Sequence, residues 1–557
     1  MQKSILLLLL FFTACWQLAA QDEPKQITNT FLLQNATIIP SPGKMIEKGS
    51  VLIKDGVIQA VGPNVTAPFD AKVIKADSMY IYAGFISGAS HVGIEKKKEE
   101  NSGRRERAKN PGNPTYEKAG IQPDRMAREV LKADDVSISA MRGVGFTAAH
   151  AVPEGKMLPG KGAIVLLAGD NANQMILMEN TALFAQLVGA SGVAPATIIG
   201  VMSKMRDLYR QAAQSKSHGA QFASNPQGLM RPTSDPVLEA FYPVIEGKQK
   251  VFMKAQNGRD ISRALQLQED LGYQLALVDV EKGWNYLDQL KAHTIFLSLD
   301  LPKAKEEKKK DDEEEMSEGK KELEARRAEE QKRYEMQAKT FADAGVTYGF
   351  STLEVKPKEV KAHLKRMMEN GLTTDQALAA LTTQAAQLLG VNKIMGSVEK
   401  GKMANLVITD APYFEDDSDI RYVIVDGEVF EYEAKKKKKK KASGEAGEEK
   451  ADIAGTWSYE MNVPGQELEG NFRFEVSEDE VKVFMSSPTG DDGEEMEIDD
   501  AELNGDVLTF STSVDQGGTT LNLDFELNFD GESYEGNMSV GQFGTFDVEG
   551  SRTKKPE

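Results

Sequence analysis

Of the five histidines in the chain, His91 stands where chemistry is easiest to build. It ends the β-branched and aromatic run YAGFISGASHVGI, Tyr82 to Ile94. A neutral imidazole at a strand end can ligate a divalent metal or move a proton. A zinc site of ordinary type needs at least three protein ligands, however, and the other four histidines do not supply them. His150 ends the strand-like FTAAHAV and is the best spare. His218 lies in the loop-like SKSHGAQFASNP, His293 opens the apolar HTIFLSLDL, and His363 sits on the helical EVKAHLKRMMENG. A hydrogen-bonded core or pocket histidine is therefore the first reading of His91, with a metal ligand as the alternative.

The elements that would position such residues repeat along the chain. FLLQNATIIP and GSVLIKDGVIQAVGP read as strands joined by a tight KDG turn, a β unit over about 28–81. Apolar strands then alternate with helical segments. AGFISGASHVGI, GFTAAHAV, GAIVLLAG, KVFMKAQN, YQLALVDV, HTIFLSLDL and VTYGFSTLE are the strands; GRDISRALQLQEDLG and TTDQALAALTTQAAQLLG are among the helices. Repeated β then α with buried parallel strands predicts an α/β barrel over 82–390. The segment 391–433 returns to strand and turn and could pair with the first β unit.

Length and charge separate a second part. At 557 residues the chain is too long for one ordinary core. From Asp452 onward about 26 acidic residues face about 5 basic ones, an excess as large as the net charge of −19 for the whole chain. Between the parts lies AKKKKKKKASGEAGEEK, a Lys-rich linker over 434–451 that cannot build a core. It reads as a solvated tether rather than a nucleic-acid or lipid-binding patch. The segment 452–557 holds eight short strand signals separated by turn pieces such as PTGDDG, NG and DGES, which predicts a small all-β barrel or sandwich. Trp457 near its start reads as a core plug. The acidic DDGEEMEIDD, Asp491 to Asp500, lacks the spacing and the sixth-position glycine of an EF-hand.

The first twenty residues carry Lys3, the apolar ILLLLLFF and a small-residue cut after Ala20, the pattern of a secretory signal peptide. Cut there, the protein has no cysteine, which suits a periplasmic or secreted location without disulfides. FTAC offers the alternative of a lipid anchor through Cys15. No later stretch reaches the roughly eighteen apolar residues of a transmembrane span.

Five stretches now combine. FLLQNATIIP, GSVLIKDGVIQAVGP, YAGFISGASHVGI, LTTDQALAALTTQAAQLLGV and GSVEKGKMANLVITD occur in the order and at roughly the spacing of the amidohydrolase superfamily, and the chain most resembles its imidazolonepropionase-like branch over about 28–433. The resemblance implies a distorted TIM (β/α)8 barrel with a composite β-sandwich from 28–81 and 391–433. It also implies hydrolysis of non-peptide or cyclic amide C–N bonds at one or two divalent metals held at strand ends. Such metals need neutral imidazoles and carboxylates with an open coordination position. The first strand of the family carries an HxH pair; here it reads Ala89, Ser90, His91. A strand-five histidine aligns with Lys254, whose ammonium repels a cation unless it is carbamylated. A strand-six histidine falls near Asp279. The strand-eight aspartate after "ST" aligns with Leu353, which can neither bind metal nor accept a proton; Glu354, one residue on, points to the opposite face of a regular strand. The pocket candidates are therefore Ala89, Lys254, Asp279, Ser351 and Leu353, with His91 the one retained ligand position.

These substitutions favour an exported amidohydrolase-like protein with a degenerate metal site, non-catalytic, acting as a binding protein or as the partner of an active relative in a homo- or hetero-oligomer. No cofactor is expected, and no nucleic-acid partner. An active C–N hydrolase using zinc or another divalent metal on His91, Asp279 and a carbamylated Lys254 is the alternative, and a structural or surface protein the second. Two insertions flank the barrel. EKKKEENSGRRERAKNPGNPTYEKAG reads as a loop over its mouth. The mixed-charge stretch from Lys303 to Gly345 reads as a solvated helix.

Overall fold

The computed structural model describes residues 29–95, 110–302, 318–432, 451–463, 466–477, 481–486, 495–516, 519–540 and 544–554. The signal-peptide segment with Cys15, the Lys-rich stretch from Ala434 to Lys450, residues 96–109 of the first insertion and 303–317 of the second lie outside them. The chain divides into two compact units, with the boundary between residues 436 and 437.

The first unit opens with β1 (Thr30–Ile39), β2 (Ile46–Lys54), β3 (Val57–Gly62), β4 (Lys72–Lys75) and β5 (Tyr80–Ala83). The β2–β3 turn passes through Asp55 and Gly56, both at positive φ, as a two-residue hairpin turn requires. Eight further strands form the barrel: β6 (Phe85–Ser90), β7 (Phe146–Ala151), β8 (Gly160–Leu166), β9 (Ile176–Gln186), β10 (Lys250–Lys254), β11 (Leu275–Val280), β12 (Thr294–Ser298) and β13 (Tyr348–Ser351). Three strands then return to the first sheet: β14 (Leu406–Thr409), β15 (Ile420–Val425) and β16 (Glu428–Glu431), with β14 antiparallel to β5.

The barrel is ordered β13-β12-β11-β10-β9-β8-β7-β6. Its ends meet where the Thr352 amide donates to the Ala89 carbonyl at 2.8 Å, so it is nearly closed. It departs from an all-parallel barrel at one strand, because β8 runs antiparallel to both β7 and β9. The connections explain this correction. Only residues 152–159 separate β7 from β8, and 167–175 separate β8 from β9; a parallel crossover needs a dozen or more. β9 has no counterpart among the strands read from sequence. Its apolar alternation is interrupted by Glu179 and by Asn180 at φ 51°, which hides the signal.

Where connections are long, helices cover the barrel. Gly258–Leu271 begins at Asn257, whose side chain accepts from the Arg259 and Asp260 amides, and stops at Gly272 in the left-handed region. Its Ile261, Ala264 and Leu267 recur at helical spacing and are all buried. The helix Glu318–Asp343 carries surface pairs Arg326–Glu322 and Arg333–Glu329 at i,i+4. It is not solvated throughout, because its last third is fastened to the barrel. Gln337 accepts from the Gly283 amide at 2.7 Å and donates to the Val280 carbonyl at 2.9 Å, with Ala338 and Phe341 buried beside it.

The second unit is a closed antiparallel barrel of β17 (Gly455–Val463), β18 (Gln466–Val476), β19 (Val481–Ser486), β20 (Glu495–Asn504), β21 (Val507–Gln516), β22 (Thr519–Asp530), β23 (Ser533–Val540) and β24 (Gly544–Lys554), with β17 paired to β24. Closure removes both sheet edges, and sandwich packing is therefore ruled out. Inward-facing rings fill the interior: Trp457 packs edge-on to Phe529, and Phe510 stacks on Phe525 with centroids 4.7 Å apart. Trp457 is fully buried, its Nε1 donates to the Ile453 carbonyl at 2.9 Å, and the Arg552 guanidinium lies 4.7 Å from its ring centroid. Of the acidic stretch 491–500, the described residues from Glu495 onward form part of β20.

Candidate functional site

The parallel strands of the first barrel end on one side, and the candidate residues gather there. His91 immediately follows β6, and its Nδ1 lies 2.8 Å from the Val152 carbonyl. A neutral ring donates from Nδ1 to that carbonyl and keeps the lone pair on Nε2. Burial lowers the His91 pKa, opposed by that hydrogen bond, so the neutral ring is favoured. Lys254 is the last residue of β10 and Ser351 the last of β13. Asp279 sits in β11 at φ 59°, where the register with β12 shifts between Leu277 and Val280. That irregularity turns its carboxylate into the barrel end.

A buried polar network joins these positions. Ser351 Oγ donates to Asp279 Oδ1 at 3.1 Å and lies 3.3 Å from the Ala89 carbonyl. Gln256 Nε2 bridges Asp279 Oδ2 at 3.1 Å and Glu281 Oε1 at 2.9 Å. The Lys254 ammonium lies 3.8 Å from Asp279 Oδ2 and pairs directly with Glu354. Burial raises the Asp279 pKa while Lys254 draws it down. Above the network opens a cleft of about 880 Å³, whose wall includes His91, Arg125, Glu154, Lys254, Leu353 and Glu354. The Arg125 side chain is braced by the Pro159 and Glu154 carbonyls.

Beneath His91 the barrel is apolar. Ala89 and Leu353 belong to one cluster with Val152, Phe184, Phe252, Val278 and Phe296; Ala89 is fully buried and Leu353 is 8 % exposed. A Cβ on Gly88 would run into the Phe296 ring, so nothing larger than glycine fits there. The donor set does not suit the metal that the resemblance implies. Ala89 and Leu353 offer no ligand atom, and the Lys254 ammonium already supplies the positive charge beside Asp279 and Glu354. His91 and Asp279 alone fall short of three ligands.

The structure corrects several sequence expectations. Glu354 does reach the cleft, because β13 ends at Ser351 and strand alternation no longer governs its direction. It meets Lys254 rather than a metal. His150 is wholly buried inside the barrel wall, between the Gly88 carbonyl and Thr181 Oγ1, and burial takes its pKa down to about 4. His218 is not in a loop; the helix Ile198–Ser224 runs through it. His293 is held by the Gln289 carbonyl and Gln268 before β12 begins, away from the strand ends.

Gln256 and Glu281 escaped the sequence reading. Each lies two residues beyond a candidate, Lys254 and Asp279, and that proximity was the available signal. Burial, then the charges of Asp279 and Asp300, push the Glu281 carboxyl up to about 7. A carboxyl raised above its unfolded value near 4.3 stabilises the fold below that value, and the contribution is lost as pH rises through 7. Glu281→Gln keeps an acceptor for Gln256 and removes the titration. The variant is expected to exceed wild type by about 1–2 kcal/mol at pH 8, a figure reduced because Glu281 is only partly buried. The gain should shrink towards pH 5. Urea unfolding at both pH values checks this, and a gain independent of pH would contradict it.

Comparison with known proteins now bears on this geometry. Residues 299–430 match the amidohydrolase family model. The matched segment runs from the end of β12 into β16 and includes Ser351, Leu353 and Glu354. Among solved structures, an amidohydrolase from Thermotoga maritima MSB8 aligns with a TM-score of 0.59 at 19% identity, covering 72% of this chain and 100% of that one. A prolidase complexed with N-methylphosphonate-L-proline gives 0.43 at 16% identity, with coverages of 72% and 100%. No curated protein matches the sequence. The first unit thus has an amidohydrolase-like fold. Among the described residues, no helix is long and apolar enough to cross a membrane.

Proposed function

We propose that this chain is an exported protein of the amidohydrolase superfamily, of its imidazolonepropionase-like branch by the five ordered motifs. In this reading its strand-end metal site is lost, and the barrel mouth serves binding rather than hydrolysis. The binding partner is a small molecule taken into the cleft or an active relative docked over it. One observation carries the reading: Ala89 and Leu353, which the resemblance aligns with a histidine and the catalytic aspartate, belong to one apolar cluster. An aspartate at position 353 would accept the proton of an attacking water; leucine cannot. The Lys254–Glu354 pair and the 3.8 Å approach of Lys254 to Asp279 put an internal cation beside the carboxylates that a metal would need.

The test compares metal content in protein purified without chelator. His91→Ala is expected to hold as much zinc as wild type, because His91 lacks the two further ligands a site requires. A stoichiometric zinc present in wild type and lost on His91→Ala would overturn the reading. It would favour instead an active C–N hydrolase built on His91, Asp279 and a carbamylated Lys254.

A further inference from the structure

Another group of donors lies beyond β12, away from the strand-end positions discussed above. Asp300 stands two residues past the end of β12. Glu359 closes the short turn Pro357–Glu359, which runs directly into the helix Val360–Glu369 carrying His363. Glu359 and His363 are four residues apart, one helical turn, and so share a face. One ligand atom from each of Asp300, Glu359 and His363 lies within 4.8 Å of the others. We propose that these three residues bind a divalent transition-metal ion.

The imidazole is held by the backbone after β12. His363 is buried, and its Nδ1 lies 2.9 Å from the Leu299 carbonyl, 3.3 Å from the Leu301 amide and 4.0 Å from Asp300 Oδ1. In the tautomer that donates from Nδ1 to the Leu299 carbonyl, the Nε2 lone pair is left for a metal. The carboxylates lack a competing cation. Among the described residues Asp300 has no Lys or Arg partner, only His363 at 4.0 Å, and Glu359 has none. Their surroundings are negative as well, since Glu354 and Glu359 both act electrostatically on Asp300.

A cavity of about 10 Å³, room for one water, lies against Asp300 and Glu281, but neither Glu359 nor His363 lines it; the three side chains themselves would hold the ion. One imidazole and two carboxylates form a mixed nitrogen and oxygen set with open positions, suited to zinc and to manganese or iron more than to calcium or magnesium. The three ligands are distinct from the strand-end positions, although Asp300 acts electrostatically on Glu281 of that network.

The experiment uses the full chain, stripped with chelator and titrated with zinc against a competing indicator. Wild type should hold one zinc that Glu359→Gln and His363→Ala bind at least about 100-fold more weakly, more than the loss of a supporting residue costs. His91→Ala should keep wild-type affinity. Glu359 is partly exposed, so Glu359→Gln remains informative if the buried His363→Ala fails to fold. Equal affinity in wild type and Glu359→Gln, or no zinc uptake by wild type, overturns the proposal. Zinc lost on His91→Ala but kept in Glu359→Gln overturns it and the reading of the strand-end site together.

Discussion

Lys254→Met is expected to lower stability by about 3 kcal/mol at pH 8, the low end of what losing one partner of a buried ion pair costs. Asp279 is fully buried, and its remaining partners, Ser351, Ser298 and Gln256, are neutral. Without the ammonium, nothing in the immediate network offsets the charges of Asp279, Glu281 and Glu354. Burial raises the Asp279 pKa even with Lys254 beside it, and removing the lysine raises it further. A carboxyl raised in the folded state stabilises below its unfolded value near 3.9, and that contribution is lost as pH climbs through the folded value. The defect of Lys254→Met should therefore be smaller at pH 5 than at pH 8. Asp279→Asn in the same chain should recover most of it, because the amide still accepts from Ser351. Guanidinium unfolding of the two variants at both pH values tests the argument. A Lys254→Met protein as stable as wild type at pH 8 would show that the ammonium is not the charge that holds Asp279 in place.

The fold was legible wherever local pattern and tertiary role coincide. The alternation of apolar strands with helical stretches carries the barrel, and eight strand signals separated by glycine-rich turns carry the closed β barrel. The misreadings have physical causes. The strand β8 looks like its parallel neighbours, since a strand buried on both faces has the same composition in either direction; only the shortness of its two connections reveals that it is reversed. The helix break at Thr382, with φ −128° and ψ −86°, falls at the pair Thr382–Thr383, two β-branched residues whose lower helix propensity is outweighed by the alanines, leucines and glutamines on either side. The mixed-charge insertion reads as solvated because one buried glutamine and two apolar residues among so many charges barely alter its average.

The site was less legible, because its members come from separate strands. Ala89, Lys254, Asp279 and Leu353 share no local motif, and only an ordered resemblance spanning some 400 residues places them at one barrel end. What the resemblance conveys is position, and position does not convey bonding. It left Glu354 aside on strand parity, which holds only while the strand lasts. It could not show that Lys254 is neutralised, because the partner lies 100 residues away. Asp279 adds a further obstacle, since its carboxylate is aimed by a left-handed backbone that no side-chain pattern announces.

The convergence of those positions leads to the last expectation. The triple variant Ala89→His, Lys254→His and Leu353→Asp should bind zinc more tightly than wild type, with Asp279 and His91 as further ligands on the same strand ends. Ala89 and Leu353 already share one cluster, the Ala89 carbonyl is within 3.3 Å of Ser351 Oγ, and that hydroxyl binds Asp279. New side chains on these rigid elements start near one another. Without metal the variant should be less stable than wild type. An aspartate at position 353 replaces a leucine in the apolar cluster that includes Phe184 and Phe252, and burying it costs roughly 1–3 kcal/mol or forces it to take up a proton. Loss of the Lys254 ammonium adds its own penalty at Asp279. Zinc should reverse both effects, since a ligand that binds only the folded state stabilises it by mass action, by about 2.7 kcal/mol at 100 times its dissociation constant. Melting temperatures of variant and wild type, each with and without zinc, give the answer. Wild type is itself expected to gain through the proposed site at Asp300, so the comparison rests on the extra shift of the variant. An equal shift in both proteins would mean that Ala89, Lys254 and Leu353 do not surround a former metal position, however close together the barrel brings them.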